Sequence, residues 1–302
     1  MELHGILPLL KPKGMTSHDC VAKLRKILKM KKIGHTGTLD PEVTGVLPIC
    51  LGRATKVAQY MSDYSKTYIG EVTLGFSTTT EDFTGEIVEK KSVDTVITKE
   101  MCEAVLQQFI GEIQQIPPMY SAVKINGKKL YEYARAGIEV ERPARTVMID
   151  DIQLLEGPVK HSVETLSFSF KVHCSKGTYV RTLAVDIGKA LQYPAHMSAL
   201  QRIASGPFKL KDCLSFEEIE QKTETNQLQA ALLNIEDALS FLTCITVNEE
   251  EEFKVKNGAV LKMPDHITES RFTIFNKEGK CIAIYEQHPT KLGLMKPEKV
   301  FN

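Results

Sequence analysis

An α+β domain followed by a smaller β-rich domain is the fold class that the sequence predicts. Three observations lead there. Strands and helices are mixed without the regular βαβ alternation that builds a parallel sheet. A length of 302 residues is long for one hydrophobic core and short for three. After about Leu242 the character changes, and a charged run and a hairpin pattern take over. The expected division is residues 1–242 and 243–302.

The elements follow in order. Gly5 to Lys11 reads as a short strand, broken by Pro8 and ended by Pro12-Lys13-Gly14. Ser17 is placed to cap a helix with Val21, Leu24, Ile27 and Leu28 on one face. Gly34 to Gly45 is rich in Gly and Thr and fits neither period. Val46 to Leu51 is a compact apolar run, as in a buried strand. Lys66 to Leu74 alternates, with Tyr68, Val72 and Leu74 on one side. Met101, Val105 and Phe109 recur at helical spacing, and Gly111 is a fitting stop.

Pro117 to Arg145 mixes prolines, glycines and basic residues, an excursion of about residues 120–150 from the core. Leu166, Phe168, Phe170 and Val172 alternate with polar residues, the clearest strand in the chain. A helix bearing Leu183, Ile187 and Leu191 follows Cys174 to Arg181. Ser215 with Glu218 makes a capping box for another helix. Phe272 to Phe275 and Cys281 to Tyr285 flank a turn as a hairpin.

Composition excludes several classes. The chain has no apolar run of the roughly 18 residues a membrane span needs, and no secretory signal pattern is expected at its start. Seven cysteines with no C-x-x-C spacing indicate neither a disulfide framework nor a zinc site, and a reducing cytoplasm fits. The net charge is zero, yet binding follows local patches. Eight basic residues face one acid between Lys11 and Lys32, and six face three between Lys124 and Arg145. A solvated helix face is the competing account of such runs.

The informative stretch is Gly34-His-Thr-Gly-Thr-Leu-Asp40-Pro-Glu-Val-Thr-Gly45. Its glycines permit close approach, and Asp40 is one acid amid small residues. Read alone, Asp40 before Pro41 is equally a helix N-cap followed by a good first helical residue.

Combined with other segments, this stretch resembles the bacterial family of tRNA pseudouridine synthases that modify the T loop. The matching blocks are Lys11-Pro-Lys-Gly-Met-Thr-Ser17, Gly34 to Pro41 with Thr44-Gly-Val-Leu-Pro48, and Lys66-Thr-Tyr68. They continue with Pro117 to Lys124, Cys174-Ser-Lys-Gly-Thr-Tyr-Val-Arg-Thr-Leu183 and Leu200 to Phe208. Six blocks in the family's order span most of residues 5–210.

The resemblance implies a pseudouridine-synthase fold, with a mixed, largely antiparallel sheet flanked by helices and a small terminal domain similar to a PUA RNA-binding module. It implies isomerisation of uridine 55 in the T loop: the C1′–N1 bond breaks, uracil turns within the site, and C5 joins C1′. No atom is gained and no redox change occurs, so neither metal nor cofactor is expected. Because the base must leave its stack, base flipping is implied as well.

Residue by residue, Asp40 matches the catalytic aspartate, which could add to C6, attack C1′ or take a ribose proton. Arg181 matches the arginine that pairs with it. A cation in a helix's first turn is otherwise poorly placed, which favours a specific partner. Tyr68 matches the tyrosine that stacks on the base, though it is equally a core aromatic on a strand. His35 matches a histidine beside the flipped bases, otherwise a loop residue. Lys13 matches the lysine of the first block that supports the catalytic loop or contacts phosphate. Leu200 matches a residue bordering the uracil pocket, and a leucine there is also simply core; Tyr179, within the Cys174 to Leu183 block, is a further substrate-binding candidate. Lys56 is a phosphate candidate or a surface lysine. The basic excursion resembles the family's insertion that grips the T stem-loop.

Two departures stand out. Glu42 and Val43 replace the commoner Leu and Ala, and Gln201 replaces a frequent basic residue. A carboxylate two residues from Asp40 would raise its pKa unless it points to solvent. A non-catalytic RNA-binding protein and a base-excising glycosidase are the competing classes. The long insertion and the lack of a lysine-rich tail favour a stand-alone enzyme without guide RNA over the guide-dependent relatives. A monomer is expected.

Overall fold

The structure, a computed structural model, describes residues 3–301. Most of the chain is built on a nine-stranded sheet among the described residues. Its strands are β1 (Gly5–Lys11), β2 (Ile33–His35), β3 (Thr44–Leu51), β4 (Lys66–Leu74) and β5 (Gly111–Gln115). They continue with β6 (Arg145–Lys160), β7 (Leu166–Cys174), β8 (Ala195–Ser205) and β9 (Phe208–Lys209). Across the sheet the order is β1-β3-β8-β4-β7-β6-β5, with β2 on β3 and β9 on β8. Only β3 with β8 is parallel, so the sheet is mixed and largely antiparallel, as expected.

Helices α1 (Ser17–Ile27), α2 (Lys99–Gln107), α3 (Val180–Ala190) and α4 (Phe216–Glu224) supply apolar faces to one core. Leu24, Leu106, Leu183, Ile187 and Ile219 meet Leu7, Leu9, Leu47, Ile49, Val72 and Phe170 there. The opposite faces of β1 and β3 are buried too: Ile6, Val46 and Cys50 join a second cluster with Tyr64, Phe208, Cys281 and Ile284. Burial on both faces explains why these strands read as continuous apolar runs without alternation. In contrast, β4 and β7 alternate as their sequences dictate.

Three local expectations are corrected. Strand β1 is not broken at Pro8, which lies directly opposite Pro48 of β3. The carbonyls of both prolines face outward, accepting Leu214 N and Thr36 N, so neither missing N–H interrupts the β1–β3 ladder. The cap of α1 is Thr16, in a capping box with Asp19, while Ser17 is the first helical residue. Gly111 does not end α2, which stops at Gln107; it opens β5 with φ +104°. Met101 accordingly lies on the exposed side of α2, and Cys102, Val105 and Leu106 face inward.

The segment after Gln115 forms a small hairpin (Lys124–Ile125 with Lys128–Lys129) and one short helix (Leu130–Arg135). Beyond Leu242 a five-stranded sheet forms: β10 (Cys244–Thr246), β11 (Leu261–Lys262), β12 (Arg271–Phe275), β13 (Cys281–Gln287) and β14 (Leu294–Val300). The expected hairpin is β12–β13, with Phe272 opposite Tyr285. It has its own core of Val247, Val255, Phe272, Ile274, Ile282 and Tyr285. The acidic run opens α5 (Glu249–Lys256), capped by Asn248, with Lys254 and Lys256 in the last turn, charges that complement the helix dipole.

Gly45 is the tightest junction of the large sheet. It pairs with Lys11 on one side and Arg202 on the other, at φ +111°, and an added Cβ would lie 2.1 Å from the Arg202 carbonyl oxygen. Gly45→Ala should therefore destabilise the fold by roughly 3–5 kcal/mol, read as a lower urea midpoint.

Candidate active site

Asp40 lies in the loop between β2 and β3, and the sequence around it dictates a turn rather than a helix. Val43 N bonds the Asp40 carbonyl at 3.1 Å, and no helix follows Pro41. The helix-cap alternative is thereby excluded. The loop is held from several directions. Lys11, fully buried, donates to the carbonyls of Pro12 (2.9 Å), Pro41 (3.0 Å) and Val43 (2.8 Å). Ser17 Oγ accepts from Leu39 N at 2.9 Å. Arg202, 1% exposed, donates through Nε to Val46 O (2.7 Å) and through Nη2 to Gly37 O (3.3 Å).

Arg181 is also buried, at 5% exposure, in the first turn of α3. Its Nε lies 3.0 Å from Asp40 Oδ2. The pairing is not bidentate: Nη1 donates to Thr80 O and Nη2 to Tyr120 O, each at 2.9 Å. One guanidinium thus joins the Asp40 loop, the turn between the paired strands Phe76–Thr78 and Ile87–Lys90, and the segment that follows Gln115. Burial pushes the Asp40 carboxyl above its ordinary value, while Arg181 pulls it down. The neighbouring carboxylate that adds to the rise is Asp82, itself held by Thr80 Oγ1 (2.6 Å), Thr84 N (2.9 Å) and Thr84 Oγ1 (2.5 Å). Glu42 instead pairs with Lys13 at 3.4 Å.

Asp40 and Arg181 border a cavity of about 320 Å³, within the range of small-ligand sites. Tyr68, Tyr179, Leu200 and Arg202 line it with them. Tyr68 belongs to the main core, as the core-aromatic reading expects, and it also lines the cavity, opposite Arg202 across β4–β8. Burial raises the Tyr68 hydroxyl's pKa. Gln115 fixes Tyr179 by donating to its carbonyl (3.1 Å) and accepting from its N–H (2.9 Å). Lys66 also lines the cavity and donates to Ser62 O (2.7 Å) and Tyr64 O (2.5 Å); burial brings its pKa down to about 8.

Other sequence candidates sit elsewhere. Lys13 is exposed, over the Phe83 ring at 5.0 Å, and lines a second cavity of about 610 Å³ that shares Asp40, Val43 and Leu200 with the first. His35 lines neither. It is half-buried, meets His18 edge-on at 5.4 Å, and has its pKa lowered by burial. Lys56 borders a separate hollow beside Lys280 and Phe301. Sequence reasoning missed Lys11, Ser17, Gln115, Asp82 and Arg202. Lys11, Ser17 and Arg202 all lay inside blocks that carry the resemblance, which was the signal that could have found them.

A buried arginine pinned to a loop aspartate at the mouth of a cavity, on a mixed sheet of this order, is the arrangement of a pseudouridine synthase. The family profile described as "TruB family pseudouridylate synthase (N terminal domain)" matches residues 25–180, and "tRNA pseudouridylate synthase B C-terminal domain" matches residues 181–240. The chain belongs to this family. It is 58% identical over 298 residues to the tRNA pseudouridine synthase B of Bacillus thuringiensis (strain Al Hakam), covering 99% of this chain and 97% of that one. The protein of that name from Halalkalibacterium halodurans is 58% identical over 300 residues, covering 99% and 98%. Among solved structures, a Cbf5-Nop10-Gar1 complex matches with TM-score 0.77 at 29% identity, covering 99% of this chain and 85% of that chain. An H/ACA RNP bound to a substrate RNA containing 2′-deoxyuridine matches with TM-score 0.73 at 27% identity, covering 99% and 85%.

Two outcomes follow from the geometry. Lys11→Met should lower kcat by roughly 10–100-fold and reduce Tm, because three carbonyls lose one buried donor; Lys13→Met should leave Tm unchanged. Protonation removes the Asp40 charge, so the single-turnover rate should fall as pH is lowered. Since burial raises this carboxyl, the midpoint should lie above the roughly 3.9 of a free aspartate.

Proposed function

We propose that this protein isomerises uridine 55 in the T loop of tRNA to pseudouridine, with the Asp40 carboxylate as the catalytic group. The observation that carries the reading is the 3.0 Å contact between Asp40 Oδ2 and the buried Arg181, at a cavity lined by Tyr68 and Leu200. An extruded uracil enters that cavity and stacks on Tyr68, with Leu200 and Tyr179 as its borders. The carboxylate acts on the nucleoside while the C1′–N1 bond breaks, the base turns, and C5 bonds to C1′. The C5 proton leaves to solvent and N1 takes up a proton in its place, so no atom is gained or lost. Arg181 favours the ionised form of Asp40 against the pull of burial.

Around this centre RNA is gripped mainly through its backbone. The insertion presents Lys124 and Lys128, both exposed, on a two-stranded hairpin, a form suited to the T stem. Lys13 and Lys56 are exposed or bordering hollows, as phosphate contacts require, and His35 supports the flipped bases from the end of β2. Residues 243–302 act as a PUA-like RNA-binding domain outside the T loop. The enzyme works as a monomer and without guide RNA; the second point is supported by relatives that carry the name tRNA pseudouridine synthase B and match over 97–98% of their length. A cytoplasmic site agrees with seven free thiols and with the absence, among the described residues, of any helix long and apolar enough to cross a membrane.

Unmodified tRNA carrying tritium at uridine C5 tests the reaction. Tritium should be released with the strand intact, and the change should map to the T loop; active, folded protein that releases none would contradict the reading. Asp40→Asn should abolish release while keeping tRNA affinity within roughly threefold, as a filter-binding assay would show. Loss of binding instead would favour a role in RNA capture alone.

A further inference from the structure

Nearly every polar group around the smaller cavity is already engaged. Arg181 is spent on Asp40, Thr80 and Tyr120, and Arg202 donates to Val46 and Gly37. The Tyr179 main chain is occupied by Gln115, and Thr178 Oγ1 donates to Ser175 O at 3.0 Å. Among the buried hydroxyls there, Ser121 is the exception. Five buried polar side-chain atoms lack a partner among the described residues, and only Ser121 Oγ belongs to a residue lining this cavity. Ser121 is 6% exposed, so its hydroxyl has lost water without gaining a bond.

Its place in the chain gives that hydroxyl a direction. The carbonyl of the preceding residue, Tyr120, accepts from Arg181 Nη2, and the Ser121 carbonyl accepts from Tyr131 N at 3.2 Å within the insertion's short helix. Ser121 is therefore held at the joint between the Asp40–Arg181 pair and the insertion, and rotation about one side-chain bond redirects its hydroxyl.

We propose that Ser121 is a substrate-contacting residue whose hydroxyl hydrogen-bonds a polar atom of the extruded uridine, either the ribose 2′-hydroxyl or an edge of the uracil. This rests on the reading of the cavity as the uridine site. The free protein carries an unsatisfied buried group, and the nucleoside satisfies it. Binding energy is then realised only when the nucleotide is fully inserted, which favours flipped over stacked RNA. The same bond ties the root of the insertion to an occupied pocket.

Ser121→Ala has an unusual signature under this proposal. Removing an unpaired buried hydroxyl should leave Tm equal or higher, while kcat/KM for a T stem-loop falls roughly five- to tenfold. In an Asp40→Asn background, affinity should fall by a similar factor for a stem-loop with uridine at the target position. If the partner is the ribose hydroxyl, Ser121→Ala should cost nothing further with 2′-deoxyuridine there; if it is the uracil edge, the loss should be equal with both. Unchanged kcat/KM and affinity would overturn the proposal. So would a loss of activity that accompanies a lower Tm, which would make Ser121 a packing residue. Wild-type protein that releases no tritium would instead refute the uridine site itself.

Discussion

A cation removed from water must find acceptors, and the Arg181 guanidinium finds three in three different segments. Its Nε meets the Asp40 carboxylate, and its two terminal nitrogens meet the carbonyls of Thr80 and Tyr120. Those partners belong to the Asp40 loop, the turn between strands Phe76–Thr78 and Ile87–Lys90, and the segment after Gln115. The first turn of a helix is an unfavourable place for a positive charge, so α3 tolerates Arg181 because these contacts offset the dipole and the desolvation. Disturbing any one segment leaves part of a buried charge unsatisfied. The site is thus a coupled unit whose parts lie far apart in sequence.

The second constraint comes from behind the loop. Asp40 is half-exposed, with 41% of its side chain accessible, yet the residues around it are fixed. Leu39 and Val43 are buried on either side, and Lys11, Ser17 and Arg202 take up the backbone groups between Gly37 and Val43. A carboxylate presented on a loop whose carbonyls at Gly37, Pro41 and Val43 and amide at Leu39 are already bound has little freedom to move. The tight approach of Gly45 to Arg202 carries the same rigidity into the sheet through the single parallel pairing of β3 with β8.

Much of this was legible in the sequence where physics is local. The alternation of Leu166 to Val172 and the 3.6-residue spacing of Leu183 and Ile187 became β7 and α3. The Phe272 to Tyr285 hairpin formed in the expected pairing. The resemblance brought Asp40, Arg181, Tyr68, Tyr179 and Leu200 to one cavity. What escaped was the supporting shell, because it depends on contacts between distant segments: Lys11 with Pro41, Ser17 with Leu39 and Arg202 with Gly37 are 30, 22 and 165 residues apart. Lys11 and Lys13 share one motif, and only strand register separates them. Lys11 ends β1 opposite Gly45 and turns inward, while Lys13 lies past the strand and meets Glu42 in solvent. Pro8 misled for a related reason: whether a proline breaks a strand depends on which way its missing N–H faces, and only the partner strand decides that.

The coupling of Asp40 to Arg181 can be observed directly by following the carboxyl carbon shift of labelled Asp40 against pH in the wild-type protein and in Arg181→Gln. With the guanidinium gone, burial and the nearby Asp82 are opposed only by Lys11, and the Asp40 titration should move to higher pH. An unmoved midpoint would mean that Arg181 does not govern the charge on Asp40, and the mechanism built on that pair would fail.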